Sequence, residues 1–258
     1  MSTIQINENE IYYISSNKID SSKPTLFMLH GAGQSHLTWE YQVELLSSLN
    51  DFNFLIPDLP GHGKSKGEGL KSVSEYTEFT KELIDELGLK EIIFVGHSMG
   101  GAIAQVLALD RPEYLKAIIL VCTGAWMRVA RETLLAVKNN YETFCDMLPT
   151  RSFTEKAPEI LKTKFKEGLL NMDQKVVYHD LIACNKFDIS DKVSDINIPT
   201  LIIAGKEDIL TPVKYSEYLN HQIYDTELTF IEGSGHFVMQ EKPEEFNKMI
   251  LDFIKGLN

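Results

Sequence analysis

Six short apolar runs, at 26–29, 54–56, 92–95, 117–122, 201–204 and 228–231, punctuate the 258-residue chain. Each is too short and too uniformly apolar to be an amphipathic helix. A strand that is apolar at every position is one covered on both faces, the signature of a mainly parallel sheet. Parallel neighbours need long crossovers, and the segments between the runs carry helical spacing. The class is therefore α/β.

The helical grammar is specific. Ser72 and Glu75 form a capping box ahead of Val73, Tyr76, Phe79, Leu83, Ile84 and Leu87, and Gly88 is the stop. A helix over 99–109 is closed by Arg111-Pro112. Thr211-Pro212 reads as an N-cap with a first-turn proline, and Pro243 opens a last helix with Phe246, Met249, Ile250, Phe253 and Ile254 on one face. At the start, Ile4, Ile6, the turn Asn7-Glu8-Asn9, Ile11 and Tyr13 alternate as a hairpin-like pair of edge strands. From Trp126 to about Lys192 there is no strand-like run, only helical patterns at 127–139, 141–148, 157–170 and 174–183. An all-helical insert between two strands is expected to sit above the sheet. That divides the chain into a core of 1–125 and 193–258 and a helical cap of 126–192.

An excess of 37 acidic over 25 basic residues, a formal charge of −12, argues against nucleic acid or an anionic membrane as a partner. Cys122, Cys145 and Cys184 cannot all pair and show no metal-ligand spacing. The first residues lack the basic and apolar regions of a signal peptide, and no apolar stretch approaches the ~20 residues of a membrane span. These features read as a cytoplasmic protein, monomer or dimer, acting on a small molecule.

Gly96-His97-Ser98-Met99-Gly100 lies between the run at 92–95 and the helix over 99–109. In that setting G-x-S-x-G is a nucleophile elbow, a strained turn that exposes the serine hydroxyl above the sheet. A serine hydroxyl needs a base, and the base needs an orienting acid. Asp208 follows the run at 201–204 and His236 follows the run at 228–231, both at the strand ends where α/β sheets hold ligands. The order Ser, Asp, His is the one this scaffold uses. Glu207, Asp188, Asp191 and Asp195 are rivals for the acid, but Asp208 stands best, one turn beyond a strand. The oxyanion hole is assigned to the backbone N–H groups of Met99 and of Ala32, in the loop His30-Gly31-Ala32-Gly33. His30 and His97 are assigned bracing roles and His62 a scaffold role. His36, His179 and His221 are placed on the surface or the cap.

Together with the segment Asp58-Leu59-Pro60-Gly61-His62-Gly63-Lys64-Ser65, these motifs resemble the α/β-hydrolase superfamily over essentially the whole chain outside the cap. The resemblance is to small carboxylesterases and lactonases. It implies an eight-stranded, mostly parallel sheet with an antiparallel second strand and a helical cap inserted after strand six. Some members carry the acid after strand six, where this chain has Thr123-Gly124, which cannot serve. The expected activity is hydrolysis of small esters, thioesters or lactones through an acyl-enzyme on Ser98, with no metal or organic cofactor. Trp126, Met127, Phe144 and Phe237 are the candidate pocket residues. Two alternatives share the scaffold: a carbon–carbon bond hydrolase or cofactor-free perhydrolase on the same triad, and a ligand-binding signalling protein with slow turnover.

Overall fold

A computed structural model describes residues 2–16 and 18–257. Eight strands form one sheet: β1 (Ser2–Ile6), β2 (Asn9–Ser15), β3 (Thr25–Leu29), β4 (Asn53–Pro57), β5 (Ile92–His97), β6 (Leu115–Val121), β7 (Thr200–Gly205) and β8 (Thr226–Ile231). Their order is β1-β2-β4-β3-β5-β6-β7-β8, and β2 alone runs against the rest. Every apolar run of the sequence has become a strand. The hairpin forms as expected, with Ile4 opposite Ile11 and Asn7 in the turn at φ 52°.

Alternation along the buried strands feeds two cores. Phe27, Leu29, Phe94, Ile118, Leu120 and Ile202 face α2 (Val73–Glu86), α3 (Met99–Leu109) and, farther along the chain, Leu219 of a later helix. On the other face Leu26, Met28, Ile93, Val95, Ile119 and Ile203 meet Leu46 of α1 (Val43–Ser48) and the C-terminal helix. Ser72 caps the start of α2: Glu75 N–H donates to Ser72 Oγ, while Glu75 Oε2 accepts from the Lys71 N–H, one residue ahead of the cap. The 228–231 run departs from expectation. As the outermost strand, β8 is covered on one side only, and most of its residues are half-buried.

Between β6 and β7 the chain forms α4 (Arg131–Asn139), α5 (Tyr141–Ser152), α6 (Glu159–Leu170) and α7 (Gln174–Lys186). The first begins later than its pattern suggests. Residues 127–130 stay outside the helix: Trp126 bridges to Asp188, Met127 N–H donates to the Phe187 carbonyl, and Val129 N–H donates to Asn185 Oδ1. After β7 come α8 (Lys214–Gln222), α9 (Val238–Glu241) and α10 (Pro243–Gly256). The helix expected at Thr211-Pro212 starts only at Lys214, because Thr211 is engaged with Asp208 instead. Among the described residues, no helix is long and apolar enough to cross a membrane.

Candidate active site

β5 is followed by Ser98 at φ 53° and ψ −113°, a conformation that strains any residue with a Cβ. Two bonds hold it: Ser98 N–H donates to the Val121 carbonyl at 2.9 Å, and Thr123 Oγ1 donates to the Ser98 carbonyl at 2.8 Å. The flanking glycines are a steric necessity. A Cβ on Gly96 would collide with the Gly100 carbonyl, and one on Gly100 would lie 2.5 Å from the Leu29 carbonyl. The half-buried serine is thereby lifted to the C-terminal edge of the sheet, where it lines a cavity of about 190 Å³.

β7 and β8 are neighbours, so the loops that follow them lie side by side. His236 Nδ1–H donates to Asp208 Oδ2 at 2.8 Å. The other carboxylate oxygen accepts the N–H groups of Leu210 and Thr211 at 2.8 and 2.9 Å, and the Thr211 hydroxyl lies 2.6 Å from Oδ2. Burial alone would push the Asp208 carboxyl up. The charge and hydrogen bond of His236 and the bonds from Thr211 outweigh it and hold the group at about 2. Because Asp208 only accepts, Nδ1 carries the proton and Nε2 of the neutral ring is left with its lone pair. His236 and Ser98 line the same cavity.

The N–H groups of Ala32 and Met99 donate no backbone or side-chain bond among the described residues. Met99 is the first residue of α3, where helix geometry leaves the N–H without a partner. Around Ala32 the loop is tightly pinned. His30 Nδ1–H donates to the Gly31 carbonyl at 2.9 Å and its Nε2 accepts the Leu59 N–H at 3.1 Å, so this ring is neutral. Burial and the nearby His62 push its pKa down to about 4. Gly31 N–H donates to Gln34 Oε1. His97, pushed well below its ordinary value by burial, packs between Gln34 Oε1 and the His236 carbonyl, each 2.9 Å from a ring nitrogen. The bracing roles read for His30 and His97 are thus visible as bonds.

Of the four candidate pocket residues, Met127 and Phe237 line the cavity. Trp126 and Phe144 do not. Trp126 packs on Tyr215 and Tyr218, with ring centroids 5.1 and 4.7 Å away, because its bridge to Asp188 turns it aside. Phe144 is fully buried among Val137, Leu169 and Val177, inside the helical segment rather than beneath it. A spacing pattern marks the apolar face of a helix but not which neighbour that face meets. Met147, Leu148, Phe165 and Leu181 complete much of the wall.

His97, Cys122 and His236 bring potential metal-ligand atoms within 4.8 Å of one another. They do not fit a metal. Both ring nitrogens of His97 meet protein partners, and burial pushes the Cys122 thiol well above its ordinary value, away from the thiolate a metal needs. His36 corrects the surface placement read for it. It is buried, with Nδ1 2.8 Å from Asp58 Oδ2. His179 lies on α7 and His221 on α8.

Three contributors escape a reading of the chain alone: Thr211, Gln34 and Asp180. Asp180 did leave a signal. Val176, Val177, Ala183 and Cys184 mark the buried face of α7, and Asp180 falls on that same face.

This geometry can be set against known proteins. The profile of the alpha/beta hydrolase family matches residues 26–249. The chain belongs to that family. The structure of a thermophilic esterase superposes with a TM-score of 0.85 at 32% identity, covering 100% of this chain and 98% of that one. RutD of Rhizobium rhizogenes, named as a carbamate hydrolase, is 28% identical over 90% of this chain and 93% of its own length. The pimeloyl-[acyl-carrier protein] methyl ester esterase of Yersinia enterocolitica is 27% identical over 90% of this chain and 94% of its own. An α/β-hydrolase enzyme is what these relatives share with the chain.

Proposed function

We propose that the protein is a serine hydrolase that cleaves small carboxylic esters, thioesters or lactones through an acyl-enzyme on Ser98. The observation that carries the reading is the Asp208–His236 pair, whose bonding leaves Nε2 as an acceptor in a cavity that the strained Ser98 also lines. Nε2 takes the Ser98 proton as Oγ bonds to the substrate carbonyl carbon. The carbonyl oxygen becomes an oxyanion, which accepts the N–H groups of Ala32 and Met99. Collapse breaks the ester bond, and the leaving oxygen or sulfur takes the proton from Nε2. Water then attacks the acyl group, passing its proton to Nε2 and on to Ser98 as the acid departs. Asp208 stays ionised and steadies the imidazolium that forms in each half. No metal or organic cofactor enters these steps.

In this reading the helical segment 126–192 is a cap on the core of 1–125 and 193–258. Its Met127, Met147, Leu148, Phe165 and Leu181 put mainly apolar surface against the acyl or alcohol group. A cavity of about 190 Å³ suits a substrate of modest size. A methyl ester in one relative's name and a carbamate in another's both present a carbonyl to a nucleophile.

A chromogenic ester series from short to long acyl chains tests the reading on purified wild type and Ser98→Ala. Hydrolysis is expected to fall by roughly 10⁴-fold or more in the variant. Retained turnover in Ser98→Ala overturns the proposal, and a vinylogous diketone cleaved faster than every ester would point to carbon–carbon hydrolysis.

A further inference from the structure

Asp180 is a fully buried carboxylate on α7, and no catalytic step above uses it. Three groups from three different parts of the core donate to it. His62 Nε2–H is 2.7 Å from Oδ2, Gly33 N–H is 2.8 Å from the same oxygen, and the Tyr76 hydroxyl is 2.5 Å from Oδ1. Burying a carboxylate is costly unless its lone pairs are met, and here all the donors come from outside its own segment. The surrounding backbone is shaped to receive α6 and α7. A Cβ on Gly33, at φ 65°, would lie 3.0 Å from Leu169 Cδ2, and one on Gly61, at φ 80°, would lie 2.8 Å from Val176 Cγ2.

What makes this contact consequential is the residue beside it. The peptide plane that carries the Ala32 N–H also carries the Gly31 carbonyl, which accepts from His30 Nδ1–H. The preceding plane is held by Gly31 N–H on Gln34 Oε1, and the following plane by Gly33 N–H on Asp180 Oδ2. Three consecutive planes are therefore pinned, two of them from within the core and its loops. The third is held from the helical segment. A glycine at positive φ gives that third plane freedom to rotate, and rotation of one plane is transmitted to its neighbour through the shared Cα.

We infer that Asp180 is a positioning residue for the oxyanion hole: by holding Gly33 it aims the Ala32 N–H, so that the hole is complete only when α7 is docked. The inference rests on the ester-hydrolase reading of Ser98. Its ionic partner reinforces the clamp. His62 has an acceptor at each nitrogen, the Asp180 carboxylate at Nε2 and the Pro60 carbonyl 3.0 Å from Nδ1.

The test is steady-state kinetics on the best chromogenic ester with Asp180→Asn and, as a matched loss from the same cluster, Tyr76→Phe. Thermal melts accompany both. Asp180→Asn is expected to lower kcat by about 10- to 100-fold with KM within about twofold, because a misaimed donor is felt only as the oxyanion forms. The affinity for a trifluoromethyl ketone, whose adduct with Ser98 carries that oxyanion, should fall by a similar factor. Tyr76→Phe removes a donor on the side away from Gly33. It should lower the melting temperature while keeping kcat within about twofold. If Asp180→Asn does not fold, Asp180→Glu repeats the test, since it keeps the charge but displaces the oxygen that Gly33 meets. A folded Asp180 variant with unchanged kcat overturns the inference, and so does a Tyr76→Phe variant that loses as much kcat as Asp180→Asn. A wild type whose turnover survives Ser98→Ala would instead remove the hydrolase reading, a separate result.

Discussion

Among the three buried histidine–carboxylate pairs of the described residues, two do opposite things. In the Asp208–His236 pair the carboxylate meets Nδ1, and Nε2 keeps its lone pair at the cavity that Ser98 also lines. In the Asp180–His62 pair the carboxylate meets Nε2, and Nδ1 is bound as well, by the Pro60 carbonyl. The first ring has somewhere to put a proton. The second has both nitrogens committed and can only hold things together. Chemistry is decided by the atom left free, not by the residue types.

The largest expected break in that comparison comes from Asp208→Asn. An amide cannot hold the Nδ1–H tautomer of His236, and kcat should drop by roughly 10⁴-fold. Stopped assays on the purified variant check this; a loss under tenfold would mean that the pair is not the base assembly. Next comes His62→Gln, the same kind of deletion at the other pair. Removing one partner of a buried pair costs about 3–5 kcal/mol of stability, read by urea denaturation. Turnover in the folded fraction should fall by less than about tenfold.

A smaller effect separates the two by pH. Burial by itself would lower the His62 pKa, but the charge and hydrogen bond of Asp180 and the Pro60 carbonyl carry it above its ordinary value. Its contribution is therefore full below the unfolded-state pKa of about 6.5. It is lost as pH rises through the raised folded-state value. Asp208 has the reverse sign. Held at about 2 against an ordinary 3.8, it contributes above 3.8 and loses that contribution as pH falls toward 2. Melting temperatures across pH should thus decline on the alkaline side in wild type, with a shallower decline in His62→Gln.

The smallest effect sharpens the pocket. Phe144→Leu should lower stability by about 1 kcal/mol with ester preference unchanged, since its ring sits inside the helical segment. Phe237→Leu, on the cavity wall, should shift the preferred acyl length. A change of preference in Phe144→Leu would show that the segment repacks around substrate.

How much of this was legible beforehand follows from range. The apolar runs at 26–29 and 92–95, the capping box at Ser72 and Glu75, and the elbow around Ser98 are short-range patterns. In each, neighbours in the chain are neighbours in space. Asp208 and His236 were legible because each closes a strand, and parallel strands deliver their ends to one edge. Thr211 was misread because the same hydroxyl that suits an N-cap also suits a carboxylate three residues back. Trp126 and Phe144 were misplaced because amphipathic spacing names a buried face without naming its partner.

Sequence alone thus determined the α/β sheet, the strained serine and the strand ends that bear its partners, all of which obey local backbone rules. Tertiary structure alone decided which nitrogen each histidine leaves free, and that Asp180 reaches Gly33 across 147 residues. Tautomer and proton placement depend on which acceptors surround a ring. Those acceptors come from elements that only packing brings together.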